Sequence, residues 1–402
     1  MASRLKTIYA KIKSPPPWLW LGEGCLWQRL GNAPLWQLPL EVLQQLHWWL
    51  IPPRYWPSRR RPDWLSTLPW QLKLLACRLN SYRPAEVAWW GALGVRTWNE
   101  LAKQTPDSLA AAVHAQRRRH WPKQCRPALQ LLADKAALLA GTPEQWRAPF
   151  TVLQPLQSAH QPSRSGEGLT PQERPAWWWE ALAGEGVVLK PQRGHAGRGV
   201  IRFRWRGAAL EQQALFRRLP ADAPHSETTE APSPEQLLAH WQQLCRCQEP
   251  ALLAPYIRHS EELPAAVPSV VVRVVTSRPT PEGPVAVQQA WLEVPLCEGA
   301  VAFISPDGES LPTMGEPWTE PQQNSLDQWK QLLSKGVPSC VQACLQAAVG
   351  MHERLPPMDQ VAWDWIPASP QPLLLEGNGG FGLLVPQLYA YRQSRATKRV
   401  LP

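Results

Sequence analysis

The chain has 402 residues, 44% of them hydrophobic, and a formal net charge of +10. That length leaves room for two or three domains and that apolar content is enough for a packed core, which excludes global disorder; 24 Trp against 5 Phe and 6 Tyr put most aromatic burial on indole rings. The positive balance attracts polyanions in general without selecting nucleic acid, anionic lipid or polysaccharide.

The first residues carry Arg4, Lys6, Lys11 and Lys13, then Pro15, Pro16 and Pro17 and a Trp/Leu stretch broken by Gly22, Glu23 and Gly24. No apolar h-region or cleavage site follows, and no run approaches the ~20 apolar residues of a membrane span, so a soluble, cytoplasmic protein is expected. Residues 1–125 read as a Trp- and Pro-punctuated helical region, with segments Leu38–Leu50, Trp70–Leu79, Pro84–Leu93 and Thr97–His114. Within it Leu72, Leu75, Ala76 and Leu79 recur at three and four, the period of a helix with one buried face. Two basic clusters, Arg59–Arg61 and Arg117–Arg119 with His120, read as a solvated loop and a helix end in preference to an anion-binding patch, because no stacking aromatics interleave them.

Residues 126–180 read as a lead-in helix and a linker. The helix is Leu129–Ala140, with Asp134-Lys135 near its middle and Gly141-Thr142-Pro143 as its stop; the linker is the Pro-, Ser- and Gly-rich stretch Gln154–Pro175. Over 181–260 the period changes from helix to strand. Val187–Lys190 and Val200–Trp205 read as a hairpin-like pair flanking Gly194-His195-Ala196-Gly197-Arg198-Gly199; residues 220–234 are a low-complexity, exposed insertion, and Pro234–Cys245 is a helix. Over 261–392, with one strand just before it, strands are predicted at Leu252–Ile257, Val270–Thr276, Val285–Val294, Val361–Ile366 and Pro372–Glu376, with helices at Asn324–Leu333 and Cys340–Arg354. Strands this close in sequence imply α+β lobes with antiparallel sheet rather than a doubly wound parallel sheet. Residues 393–402 form a basic tail.

The eight cysteines are scattered in a chain too large to need a disulfide framework. Cys245-x-Cys247 and Cys340-x3-Cys344 lack a CxxC partner and His352 stands apart, so buried, reduced thiols are expected rather than a zinc site.

Two distant segments carry chemistry. Lys190 ends an apolar strand, which holds its stem and presents the ammonium at the sheet edge, and glycines 194, 197 and 199 let backbone N–H groups approach an anion closely. His195 and Arg198 add donors. The run is neither a Walker loop, since no Gly-Lys-Ser/Thr follows, nor the opening of a Rossmann helix; by itself it is also compatible with an ordinary glycine-rich turn. In the second segment Asp364 lies within Val361–Ile366 and Glu376 ends Leu373-Leu374-Leu375. If these strands pair through Pro367–Gln371, both carboxylates reach one end of the sheet, and alternation sends Glu376 and Asn378 to the same face. Asp, Glu and Asn supply the hard oxygen ligands that magnesium takes alongside substrate phosphates. Gly377, Gly379 and Gly380 would then let substrate approach.

These residues, in this order, resemble the ATP-grasp superfamily, most closely the sugar-transfer-associated ATP-grasp family related to alpha-L-glutamate ligases, over roughly 126–390. Asp134-Lys135 looks like the family's Asp-Lys pair, Lys190 like its second phosphate lysine, and Gly194–Gly199, including His195, Gly197, Arg198 and Gly199, like its mobile loop. Leu252–Ile257 resembles the strand that links the lobes and reads adenine through its backbone, which brings in Leu252 and Leu253; Glu261 falls where a ribose-binding acid is expected. Arg273, in Pro268–Thr276, looks like the arginine that faces the transferred phosphoryl group, and Asp364, Glu376 and Asn378 match the metal triad. Two positions depart from the pattern: Ala254 stands where an acid is common, leaving adenine to backbone groups or Glu249, and Ser269-Val270-Val271-Val272 replaces a serine-asparagine-threonine run.

The resemblance implies an ATP-grasp fold of two α+β lobes, a nucleotide-clamping lobe over 181–260 and a metal-binding lobe over 261–392, behind the Trp-rich region 1–125. It implies an ATP-dependent carboxylate–amine ligase working through an acyl phosphate, in polysaccharide or peptide modification. Its cofactors would be ATP and two Mg2+ ions, with Mn2+ as a substitute, and its partners an unidentified carboxylate and a nucleophilic acceptor, of acidic character if the basic surface guides them; nucleic acid is not expected. The alternatives are a phosphotransferase on the same scaffold and a non-catalytic ATP- or polyanion-binding protein using Arg59–Arg61 and Arg117–Arg119.

Overall fold

The computed structural model describes residues 122–154, 176–193, 199–207, 209–215, 232–245, 249–266, 269–296, 301–311 and 319–400, together with single positions between 86 and 118. The glycine loop over 194–198, the Arg59–Arg61 cluster and most of the insertion at 220–234 lie outside them.

Two antiparallel sheets make two α+β lobes, as the sequence leads one to expect. The first has strand order β1-β5-β2-β3-β4, with β1 Thr151–Leu153, β2 Val187–Pro191, β3 Ile201–Arg206, β4 Ala209–Ala214 and β5 Ala251–Pro255. Alternation decides its faces. Val187 and Leu189 pack with Phe203, Leu237, Trp241 and Trp178 into one core, while Val188 and Lys190 turn the other way, towards the second lobe. The helices covering that core supply Trp178 from α3 (Trp178–Ala183) and Leu237 and Trp241 from α4 (Pro234–Cys245).

The second sheet has order β10-β9-β6-β7-β8: β6 Val271–Ser277, β7 Ala286–Pro295, β8 Val301–Ile304, β9 Gln360–Ile366 and β10 Leu373–Asn378. One face, with Val272, Val274, Trp363 and Trp365, packs on α5 (Glu320–Ser334) and α6 (Ser339–Arg354). Every residue of β9 is buried, and Asp364 is the ionised type placed in the middle of it. A carboxylate at such a position needs a specific partner, because desolvating an unpaired charge is far more costly than any packing gain. α7, Leu384–Val400, covers part of the opposite face through Leu388 and Tyr389 and runs without a break across residue 392.

The predicted strands and helices of the candidate-site segments are present within a few residues of their expected bounds. The lead-in helix is different. It breaks into α1 (Pro122–Ala133) and α2 (Lys135–Ala140), because Asp134 leaves helical geometry at φ −119° and caps α2, accepting from the amides of Ala136 and Ala137 at 3.0 and 3.1 Å. Lys135 is therefore the first residue of a helix and not a mid-helix residue. Arg118, read as part of a solvated helix end, is also different: its side chain is only 13% exposed and donates to the carbonyl of Gly379. Cys125, Cys340 and Cys344 are buried free thiols, and burial raises the proton affinity of each, whereas the free thiol Cys245 is only partly buried and Cys247 lies outside the described residues. No helix among the described residues is long and apolar enough to cross a membrane.

Candidate active site

A cavity of about 750 Å3 lies between the sheets. Its apolar end is walled by Val188 and Ala254–Ile257 from the first lobe and by Phe150, Val271 and Ile366; its polar end holds Lys135, Lys190, Arg273, Asp364, Glu376 and Asn378. Strand pairing explains this convergence. Arg273 on β6 stands opposite Asp364 on β9, which stands opposite Glu376 on β10, so three charged side chains form one row across adjacent strands.

Within the row, Arg273 Nε and Nη2 donate to the two Asp364 oxygens at 2.5 and 2.6 Å, a bidentate pair, and its Nη1 lies 3.3 Å from Glu293 Oε1. Burial would lower the guanidinium's hold on its proton, but Asp364 and Glu293 outweigh it and the net shift is upward. Burial pushes the Asp364 carboxyl above the usual aspartate range, with Arg273 pulling against it. Glu376 is also desolvated, yet Lys135, the Asn378 amide, Lys190 and Arg273 together bring it below the usual range. Lys135 Nζ lies 3.3 Å from Glu376 Oε2, and Asn378 Nδ2 donates to Glu376 Oε1 at 3.1 Å, so Glu376 and Asn378 share a face as alternation requires.

Both lysines are held from their backbones outward. Gln192, just past β2, donates to both Asp134 oxygens at 2.8 Å and accepts from the Lys135 amide with its carbonyl at 3.2 Å, which ties the start of α2 to the end of β2. Lys190 crosses between lobes to the carbonyl of Leu375 at 3.1 Å. That carbonyl belongs to a β-bulge: Leu374 pairs with Trp365 and Glu376 with Asp364, which leaves Leu375 as the extra residue. Burial, helped by the Lys135 charge and opposed by Glu376 and Asp364, brings the Lys190 ammonium down to about 8.

Other expected site residues lie elsewhere. Leu252 and Leu253 are fully buried in two different cores, and their backbones pair with β1 and β2; the cavity is reached by Ala254, Pro255, Tyr256 and Ile257 instead. Glu261 and Glu249 are exposed and do not line the cavity. Gly199 adopts φ +70° and its carbonyl accepts from Trp241 Nε1 at 2.7 Å, while His195, Gly197 and Arg198 are outside the described residues. Of the three glycines assigned to substrate approach, two serve packing: a Cβ on Gly377 would meet Leu132 and Trp363 at 2.7 and 2.8 Å, and one on Gly379 would meet Leu129 and Met358 at 2.8 Å. Gly380 faces open space.

Glu293 was not singled out from the sequence. It stands opposite Val271, two residues from Arg273, and so shares the cavity face; a lone acid in the apolar run Ala290-Trp291-Leu292-Glu293-Val294 was the available signal. No group of three or more His, Cys, Asp or Glu side chains among the described residues is placed to hold a metal; the candidate donors here are two carboxylates and an amide.

No protein-family profile and no curated protein matches the chain. Among solved structures it is similar to D-alanine–D-alanine ligase from Helicobacter pylori (9% identity, 66% of this chain and 59% of that one, TM-score 0.33). It is similar also to the Bacillus anthracis D-alanine–D-alanine ligase complexed with ATP (8%, 65% and 59%, 0.31). A third is N5-carboxyaminoimidazole synthase from Aspergillus clavatus in complex with ADP and 5-aminoimidazole ribonucleotide (8%, 63% and 45%, 0.32). The matched part spans roughly half of each of those chains.

Proposed function

We propose that the chain is an ATP-dependent ligase of the ATP-grasp kind, joining a carboxylate to an amine through an acyl phosphate. The observation that carries this reading is the row Arg273–Asp364–Glu376, flanked by Lys135, Lys190 and Asn378, at the polar end of a cavity whose other end is apolar. A flat, apolar base fits the Ala254–Ile257 wall and a triphosphate fits the lysines. The Asp364, Glu376 and Asn378 oxygens suit Mg2+, a hard cation that binds through one or two carboxylates plus phosphate oxygens. When bound, the metal would neutralise charge on the phosphoryl oxygens.

The chain's own part is positioning and charge. Lys190 and Lys135 hold the phosphates, and Arg273, kept in place by Asp364 and Glu293, faces the group in transfer. A substrate carboxylate oxygen attacks the γ-phosphorus, the bond to the β–γ bridging oxygen breaks and ADP leaves. The amine then adds to the acyl carbon, the C–O bond to phosphate breaks, and the amine's proton is lost to solvent.

Phosphate release from ATP, screened over carboxylate and amine panels, tests the reading. Glu376→Gln keeps the side-chain volume and removes the charge, so it should fold and bind nucleotide yet lose phosphate release; normal turnover would remove the metal assignment. A phosphorylated product with no condensation would instead make the protein a phosphotransferase.

A further inference from the structure

Three residues upstream of α1, Asp107, His114 and Arg118, are bonded to the loop that follows the candidate metal strand. Arg118 Nη1 donates to Gly379 O at 2.7 Å, His114 Nε2 lies 2.9 Å from Phe381 O, and Asp107 Oδ1 accepts from the amides of Leu383 and Leu384 at 2.7 and 3.2 Å. The last two amides open α7, whose first N–H groups have no partner within the helix. Asp107 is therefore a helix cap supplied from 276 residues away, and Glu86 fixes it in turn by accepting from its amide at 2.7 Å.

The loop is fitted to this clasp by an independent feature of its sequence. A Cβ on Gly382 would sit 2.8 Å from Asp107 Oδ1, so a side chain there would displace the carboxylate from its place beside both amides. The clasped segment also belongs to the cavity: Gly380, Phe381 and Gly382 line it, directly after Glu376 and Asn378.

We propose that Asp107, His114 and Arg118 are positioning residues of the active site, fixing the 379–383 wall and, through it, the Asn378 and Glu376 oxygens. These three residues are then a working part of the catalytic lobe. The functional half of this inference rests on the magnesium-nucleotide reading above. The residues that orient metal ligands typically influence metal affinity by about 10- to 100-fold when removed.

The test uses the full chain and ADP as probe, with affinity measured by calorimetry in Mg2+ and again in EDTA. Asp107→Ala is expected to weaken Mg2+-ADP about tenfold and to leave metal-free ADP within about twofold, while Asp107→Asn, whose Oδ1 still accepts from both amides, retains wild-type affinity. Gly382→Ala should reproduce Asp107→Ala. Hydrogen exchange at Leu383 and Leu384 should speed up in both weakened variants, which reports on the clasp whatever the ligand. Should Asp107→Ala fail to fold, Arg118→Met, which leaves the α7 cap intact, carries the same expectation. Wild-type binding of Mg2+-ADP with unchanged affinity in the variants, or equal losses with and without metal, overturns the positioning role. Absence of Mg2+-ADP binding in the wild type overturns the nucleotide reading itself.

Discussion

Lys190 illustrates how one side chain joins sequence, burial and chemistry. Its position at the end of an apolar strand is legible from Val187-Val188-Leu189, but its resting partner is not, because the Leu375 carbonyl belongs to a bulged edge strand 185 residues away. Desolvation lowers its ammonium from 10.5 to about 8, so the charge is lost as pH rises through 8. A bound phosphate would favour the charged form and raise that value again. Binding above pH 8 therefore takes up a proton, and affinity must fall with rising pH, by a limiting factor of about ten per unit. Mg2+-ADP affinity should decline between pH 8 and 9.5. Lys190→Arg, whose charge does not titrate in this range, should flatten the profile, and an unchanged slope in that variant would detach the dependence from Lys190.

Elements differ in how openly the sequence announces them. β6 and β9 are rich in Val, Trp and Ile and were readable as strands, whereas β4, Ala-Leu-Glu-Gln-Gln-Ala, has the composition of a helix. It is a strand because Gly207, at φ +69°, turns the chain back onto β3, and pairing overrides propensity. Asp134 shows the reverse case: among helix formers it reads as mid-helix, and its tie to Gln192 makes it a cap. The clamp between α6 and the second sheet is the most testable element. His352 Nε2 donates to Met358 O at 2.9 Å, so its Nδ1 accepts from the Thr276 hydroxyl at 2.7 Å, and that hydroxyl accepts from Trp363 Nε1 at 2.8 Å. A second proton on the ring would turn the Thr276 hydroxyl away to its longer contact with the Val361 carbonyl at 3.3 Å, and burial brings the imidazole down from 6.5 to about 4. The stabilisation is complete above pH 6.5 and is lost as pH falls towards 4, by about 3 kcal/mol at most. Denaturant unfolding from pH 7 to 4 should show this loss, and His352→Gln, which can keep both hydrogen bonds without titrating, should reduce it.

At the scale of the whole molecule, the two lobes meet around a cavity in which Lys135, Lys190 and Arg273 face Asp364, Glu376 and Glu293. The sequence marked five of these six because each sits in a motif of recognisable order; Glu293 and the upstream clasp depend on strand pairing and on contacts hundreds of residues apart, which local pattern does not encode. Three cationic and three anionic side chains give the cavity lining no excess of positive groups to attract a polyphosphate, so metal-free nucleotide should bind weakly. The bidentate bond explains what one substitution would do. Both oxygens of Asp364 are engaged by Arg273, and Asp364→Asn removes one negative charge while releasing the guanidinium towards the phosphates. Metal-free ATP should therefore bind more tightly to Asp364→Asn than to wild type, by about 1 kcal/mol for a regained charge-assisted contact, or roughly fivefold. In Mg2+ the order should reverse, since the variant has lost a metal-binding carboxylate. Titration of both proteins with ATP in EDTA and in Mg2+ reads the sign directly, and a variant weaker under both conditions would mean that Asp364 serves the fold of β9 and not the balance of charge in the site.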